Sequence, residues 1–143
     1  MRLLGFEVYC DVHSLDRARS GAIWGDIWVD MSGYAYPESH WNDMAVALLV
    51  ELLDAVESLD GASDKQARVR FFDGPFWIDL AGRGDGALHL SVRIDGVERQ
   101  EAVDLGELRE SLKRVGGELA TACVGRGWGD EQEVRRLQAK SKE

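Results

Sequence analysis

Residues 67–103 read ARVRFFDGPFWIDLAGRGDGALHLSVRIDGVERQEAV, and this stretch decides the fold class. Ala67, Val69 and Phe71 alternate with Arg68, Arg70 and Phe72, the period of two that sets successive side chains on opposite faces of a strand. Asp73-Gly74-Pro75 supplies a turn, after which Phe76, Ile78 and Leu80 alternate with Trp77 and Asp79. Past the glycines of 82–86, Leu88, Leu90, Val92 and Ile94 alternate with His89, Ser91 and Arg93. Asp95-Gly96 is a type I′ hairpin signal that folds Val97 to Val103 back on the preceding strand. Four strands joined by short turns make an antiparallel meander.

Upstream, Leu4, Phe6, Val8, Cys10 and Val12 alternate with Glu7, Tyr9 and Asp11. A second strand sets Ile23, Ile27, Val29 and Met31 on one face and Trp24, Asp26, Trp28 and Asp30 on the other. Ser39 has the chemistry of an N-cap, and Trp41, Ala45, Leu48, Leu49, Leu52, Val56 and Leu59 form one apolar stripe of a helix that Gly61 to Asp64 should end. Downstream of the meander, Asp104 and Glu107 have capping-box spacing, and Leu105, Leu108, Leu112, Val115 and Leu119 share a helical face. Gly116-Gly117 inside that helix predicts a break or kink. The expectation is an α+β domain over 1–129, with element order ββ-α-ββββ-α. Its antiparallel sheet of five or six strands would carry both helices on one face. Residues 130–143 read as a polar tail, partly helical or frayed, with only Val134 and Leu137 to anchor it.

The chain has 143 residues and a net charge of −9, unevenly spread. Residues 1–63 carry eleven acidic side chains against Arg2, Arg17 and Arg19, whereas residues 64–143 carry fifteen against fourteen basic ones. An acidic field repels nucleic acid and draws basic protein surfaces, so the expected partner is a basic protein. The most apolar stretch, Met44 to Val56, is broken by Glu51 and Asp54, which argues against a membrane span; a cytoplasmic location is expected. Cys10 and Cys123 lack C-x-x-C spacing and read as free thiols.

The motifs of common chemistries are missing from the sequence. There is neither a G-x-x-x-x-G-K-[ST] nor a G-x-G-x-x-G phosphate cradle, and the glycines of 82–86 are explained by a turn. Glu7, Asp11 and His13 share a strand face, but alternate residues on one strand are a weak metal signal, and neither metal nor cofactor is expected. Asp26 and Asp30 stand too far apart for a carboxylate dyad, and Arg68, Arg70 or Arg93 is expected to offset them across the sheet. No catalytic residue is assigned, which favours a binding protein over an enzyme.

Two surfaces ask for a partner. Tyr9, Trp24, Trp28, Phe72 and Trp77 lie among Asp26, Asp30, Asp79, Arg68 and Arg70 on the expected outer face of the sheet, and an aromatic patch of this kind marks an interface unless the C-terminal tail covers it. Asp43, Glu51, Asp54 and Glu57 are expected to line the outward side of the central helix.

The segment Tyr36-Pro37-Glu38-Ser39-His40-Trp41-Asn42-Asp43 with Phe71-Phe72-Asp73-Gly74-Pro75 resembles the P-x-x-x-W-x-D … F-x-D-G-P pattern of small uncharacterised bacterial proteins. Some proteins of this size, acidity and α+β build are similar to immunity proteins of polymorphic toxin systems. That resemblance implies an inhibitor of a basic toxin or nuclease, with no catalytic residues to carry over. A small-molecule binding protein or enzyme with an aromatic pocket beside the sheet is one alternative, and a homo-oligomeric domain, dimeric through the outer sheet face, is another.

Overall fold

The computed structural model of the chain describes residues 5–60 and 65–142. Leu4 and the expected helix end at 61–64 fall outside them. The fold is α+β, but the strands form two antiparallel sheets of four rather than one sheet of five or six. The first holds β1 (Phe6–Arg17), β2 (Ile23–Met31) and β3 (Tyr34–Tyr36) in that order, with the two-residue β4 (Asn42–Asp43) also paired to β2. The second is the meander β5 (Gln66–Arg70), β6 (Trp77–Gly82), β7 (Ala87–Ile94) and β8 (Val97–Asp104). Asp95 and Gly96 both have positive φ, 51° and 77°, as a type I′ turn requires, and Ile94 pairs with Val97 across it.

Helices α1 (Ala45–Ser58) and α2 (Leu105–Gly125) lie against the inner faces of the sheets. Each bridges both sheets, α1 packing on β2 and β5, and α2 on β1 and β8. One continuous core results, in which Phe6, Ile27 and Met31 from the first sheet and Ile78, Leu80, Leu88 and Leu90 from the second enclose Leu48, Leu49, Leu52 and Leu108. The sheets are also tied directly: the Tyr36 hydroxyl donates to the Trp77 carbonyl and accepts from the Trp77 amide, both at 3.0 Å. Arg99 of β8 lies over the Tyr34 ring at 3.9 Å.

The C-terminal segment does not fray. It forms α3 (Gln132–Lys142), which rests on α1 and α2 with Val134 and Leu137 fully buried. This docking explains why the glycine pair leaves α2 unbroken. A Cβ on Gly116 would stand 2.6 Å from Ser141 Oγ and 3.1 Å from Leu137 Cδ1, so the glycine admits α3, whereas a Cβ on Gly117 would meet nothing within 4 Å. Gly116→Val is therefore expected to destabilise by about 1–3 kcal/mol through overpacking. Gly117→Ala should stabilise by about 0.5–1 kcal/mol through helix propensity. Urea unfolding of the two variants checks this opposition in sign.

Asp104 caps α2 as its spacing implied, its side chain accepting from the Glu107 amide at 3.0 Å. Ser39 does not cap α1, which starts six residues later behind Met44, with no side chain of Met44 serving as a cap. Asp43 takes that work instead, accepting from the Met44 amide at 2.7 Å. Both cysteines are free thiols. Desolvation, with Cys123 adding to it, pushes Cys10 up to about 12, and desolvation pushes Cys123 to about 11 despite Arg126. Neither is a thiolate nucleophile at neutral pH.

Candidate functional site

Strict alternation along β2 sends Ile23, Gly25, Ile27, Val29 and Met31 inward, which leaves Trp24, Asp26, Trp28 and Asp30 on the outward face. The β1–β2 register then decides what faces them. Glu7 stands directly opposite Asp30, Tyr9 opposite Trp28, and Asp11 opposite Asp26. Tyr9 and Trp28 stack with ring centroids 5.7 Å apart and planes inclined by 21°. His40, held at a φ of 58°, also lies against Trp28, with ring centroids 4.4 Å apart and planes inclined by 45°, and reaches Asp26 Oδ2 with its Nδ1 at 3.4 Å. Asn42 of β4 donates to the other oxygen of Asp26 at 3.3 Å.

The face is thus an aromatic stack between two directly opposed carboxylate pairs. Opposed like charges destabilise a sheet, each pair by about 0.2–1 kcal/mol. The field registers on the phenol of Tyr9, whose pKa is raised by desolvation and then by the charges of Glu7 and Asp30. The arginines expected to offset Asp26 and Asp30 lie elsewhere. Arg68 and Arg70 belong to β5 and Arg93 to β7, in the other sheet, where Arg68 pairs bidentately with Asp79 at 2.7 and 3.2 Å. Trp77 is likewise on the second sheet, under Arg68 and Arg70 at 4.6 and 5.3 Å. The outer aromatic set is therefore divided: Tyr9, Trp24 and Trp28 on an acidic face, Trp77 on an arginine-bearing one, and Phe72 exposed in the loop after β5. The C-terminal tail covers neither, because α3 packs on the helices. Trp128 packs against the core.

No family model, curated protein or solved structure matches the chain.

The second expected surface is rearranged more deeply. Asp43 is not on the helix and not exposed; it sits in β4 with no accessible surface. One carboxylate oxygen accepts from the amides of Met44 (2.7 Å) and Phe72 (3.2 Å), the other from the Trp41 indole (3.0 Å) and the Asp73 amide (3.2 Å). The residues that carried the family-like pattern, Trp41-x-Asp43 and Phe71-Phe72-Asp73-Gly74-Pro75, are thus one structural lock between the start of α1 and the β5–β6 turn. Glu51 and Glu57 do lie exposed on α1, with half-buried Asp54 between them. Asp54, however, is paired with Lys140 and, at 3.6 Å, with Arg136, both from α3. Partial burial, then Asp54 and Glu133, raise the Glu51 carboxyl against the opposing pull of Arg136. Of these acids Asp54 already has basic partners, and they come from the chain's own last helix.

Asp11, Asp26 and His40 bring one ligand atom each within 4.8 Å of one another, the donor set in this face that could hold a metal ion. His13, which the sequence groups with Asp11 and Glu7, is exposed and outside this set. Two members were missed for a physical reason: His40 is far from the strand in sequence, and the Asp11–Asp26 opposition depends on a register that shifts between Asp11 and Asp16. No helix among the described residues is long and apolar enough to cross a membrane.

Proposed function

We propose that this chain is a protein-binding module that docks a basic protein on the outward face of its first sheet, as an immunity-type inhibitor of a cationic toxin or nuclease would. The observation that carries the reading is the pair of acidic oppositions, Glu7 with Asp30 and Asp11 with Asp26, on either side of the Tyr9–Trp28 stack, which no lysine or arginine among the described residues answers. Asp11 and Asp30 each accept a nearby backbone amide, from His13 and Gly33, but their placement directly opposite a second acid adds repulsion that neutral or oppositely charged pairs would avoid. Lysine and arginine side chains of a partner would neutralise the carboxylates, and the two rings provide flat amphipathic contact of the kind enriched in binding hot spots.

The reading separates stability from binding. Glu7→Gln with Asp11→Asn is expected to raise folding stability by about 0.5–1 kcal/mol, because each change removes one like-charge opposition. The same double variant should slow association with the captured basic partner and flatten its salt dependence, since steering is screened over about 8 Å at physiological ionic strength. Trp28→Ala should act on dissociation instead, because a buried aromatic anchor works after encounter. Calorimetry of the double variant and surface plasmon resonance against the partner measure both halves. A double variant that is less stable than the parent, or that binds with unchanged kinetics, would remove this reading. A dimer seen by sedimentation and dissolved by Trp28→Ala would replace it with self-association.

A further inference from the structure

The second sheet carries a site of opposite character. Its inward residues Val69, Ile78, Leu80, Leu88, Leu90 and Val92 are buried, so Arg68, Asp79, Ser91 and Gln100 fall in one outward row across β5, β6, β7 and β8. The neighbouring row is Gln66, Ala81, His89 and Ala102. Small residues at Ala81 and Ser91, in the middle of these rows, leave a concavity of about 260 Å³ walled by the longer side chains. Arg83, in the turn after β6, leans over it and donates from Nη2 to His89 Nδ1 at 3.1 Å.

Guanidinium nitrogens only donate, so that contact makes Nδ1 the acceptor and leaves the ring proton on Nε2. His89 is thereby another donor. The charge of Asp79 is answered by the bidentate bond from Arg68. Asp85, the acid nearest Arg83 in sequence, turns its carboxylate back to the Ala87 amide at 3.1 Å. Among the described residues no carboxylate pairs with Arg83. A guanidinium without a counter-charge, an imidazole N–H, a serine hydroxyl and two glutamine amides therefore line one hollow on a chain whose net charge is −9.

We propose that this hollow binds a small oxyanion, a phosphate or a carboxylate group, with Arg83 as its charged ligand and His89 and Ser91 as neutral donors. The forked N–H groups of arginine match the paired oxygens of either anion. The volume suits a small anion and falls below that of the clefts that take larger ligands. The site is independent of the acidic face on the first sheet.

Titration of the ¹⁵N-labelled chain with inorganic phosphate and, separately, with succinate at constant ionic strength tests it. Saturable shifts of the Ala81, Arg83, His89 and Ser91 amides are expected in at least one arm, with a Kd of about 1 mM or tighter. Saturation with phosphate alone assigns a phosphoryl ligand, saturation with succinate alone a carboxylate, and saturation with both a site that reads the paired oxygens common to the two. Arg83→Gln should weaken binding at least about tenfold, the loss of a charge-assisted pair. Arg93→Gln, on the same sheet but outside the hollow, should leave it unchanged. Linear, unsaturated shifts in both arms, or equal losses in the two variants, would overturn the proposal.

Discussion

Replacing Asp43 by asparagine, a change of one atom, is expected to destabilise the protein by about 3 kcal/mol or more and to lower its melting temperature by about 10 °C. The size follows from the symmetry of the site. Each carboxylate oxygen accepts two N–H groups, Met44 and Phe72 on one side, Trp41 and Asp73 on the other. An asparagine must put its NH₂ on one side or the other, and either choice turns two buried donors toward a third. Charge-assisted bonds contribute about 1.5–3 kcal/mol each, and a donor left unsatisfied in the interior costs a similar amount. Asp43→Ala should therefore be little worse than Asp43→Asn. Urea unfolding gives the loss, and amide exchange should lose protection first at Phe72 and Asp73. If Asp43 behaved as a solvated surface acid, both variants would stay within about 0.5 kcal/mol of the parent; that result would sink the lock.

Asp43 also shows how far the sequence can be read. The meander was legible because each hairpin is local: Asp73-Gly74-Pro75 and Asp95-Gly96 sit between alternating runs, and the observed register follows from them. The outward set Trp24, Asp26, Trp28 and Asp30 was legible for the same reason, since alternation alone decides which face a strand residue takes. What lay beyond reach was pairing over distance. Trp77 and Trp28 have the same alternation signal, yet they occupy different sheets, and nothing in either strand says which neighbour it will accept. The spacing of Asp43 to Glu51 and Asp54 fits a helical face. The helical period begins only after Met44, and Asn42 and Asp43 before it make a two-residue bridge with β2. The recurrence of Trp41-x-Asp43 with a distant Asp-Gly-Pro turn was the available signal, and in the structure these residues are an acceptor and its donors.

Leu137→Ala is expected to destabilise by about 3 kcal/mol, although it lies six residues from the end of the chain in a helix that is polar almost throughout. Composition argues for fraying here, because only Val134 and Leu137 of α3 are apolar enough to anchor it. Burial argues otherwise: both are wholly inaccessible, and Leu137 presses toward the surface of α2 that Gly116 leaves open. Removing three buried carbons from such a site costs about 2–5 kcal/mol for a leucine, depending on how far the neighbours collapse. The ion pairs of Arg136 and Lys140 with Asp54 should matter far less, since all three side chains are partly solvated and screened. Arg136→Ala should accordingly change stability by no more than about 1 kcal/mol and lose even that at high salt. Urea unfolding measures the ratio of the two effects. Trypsin supplies a second readout, because a released α3 exposes Arg135, Arg136 and Lys140 to cleavage while the remaining domain stays protected. An unchanged urea midpoint for Leu137→Ala would mean that α3 is not part of the core. Loss of stability with early cleavage would mean that α3 is held on α1 and α2 by its two buried apolar side chains, with its ion pairs to Asp54 a minor addition.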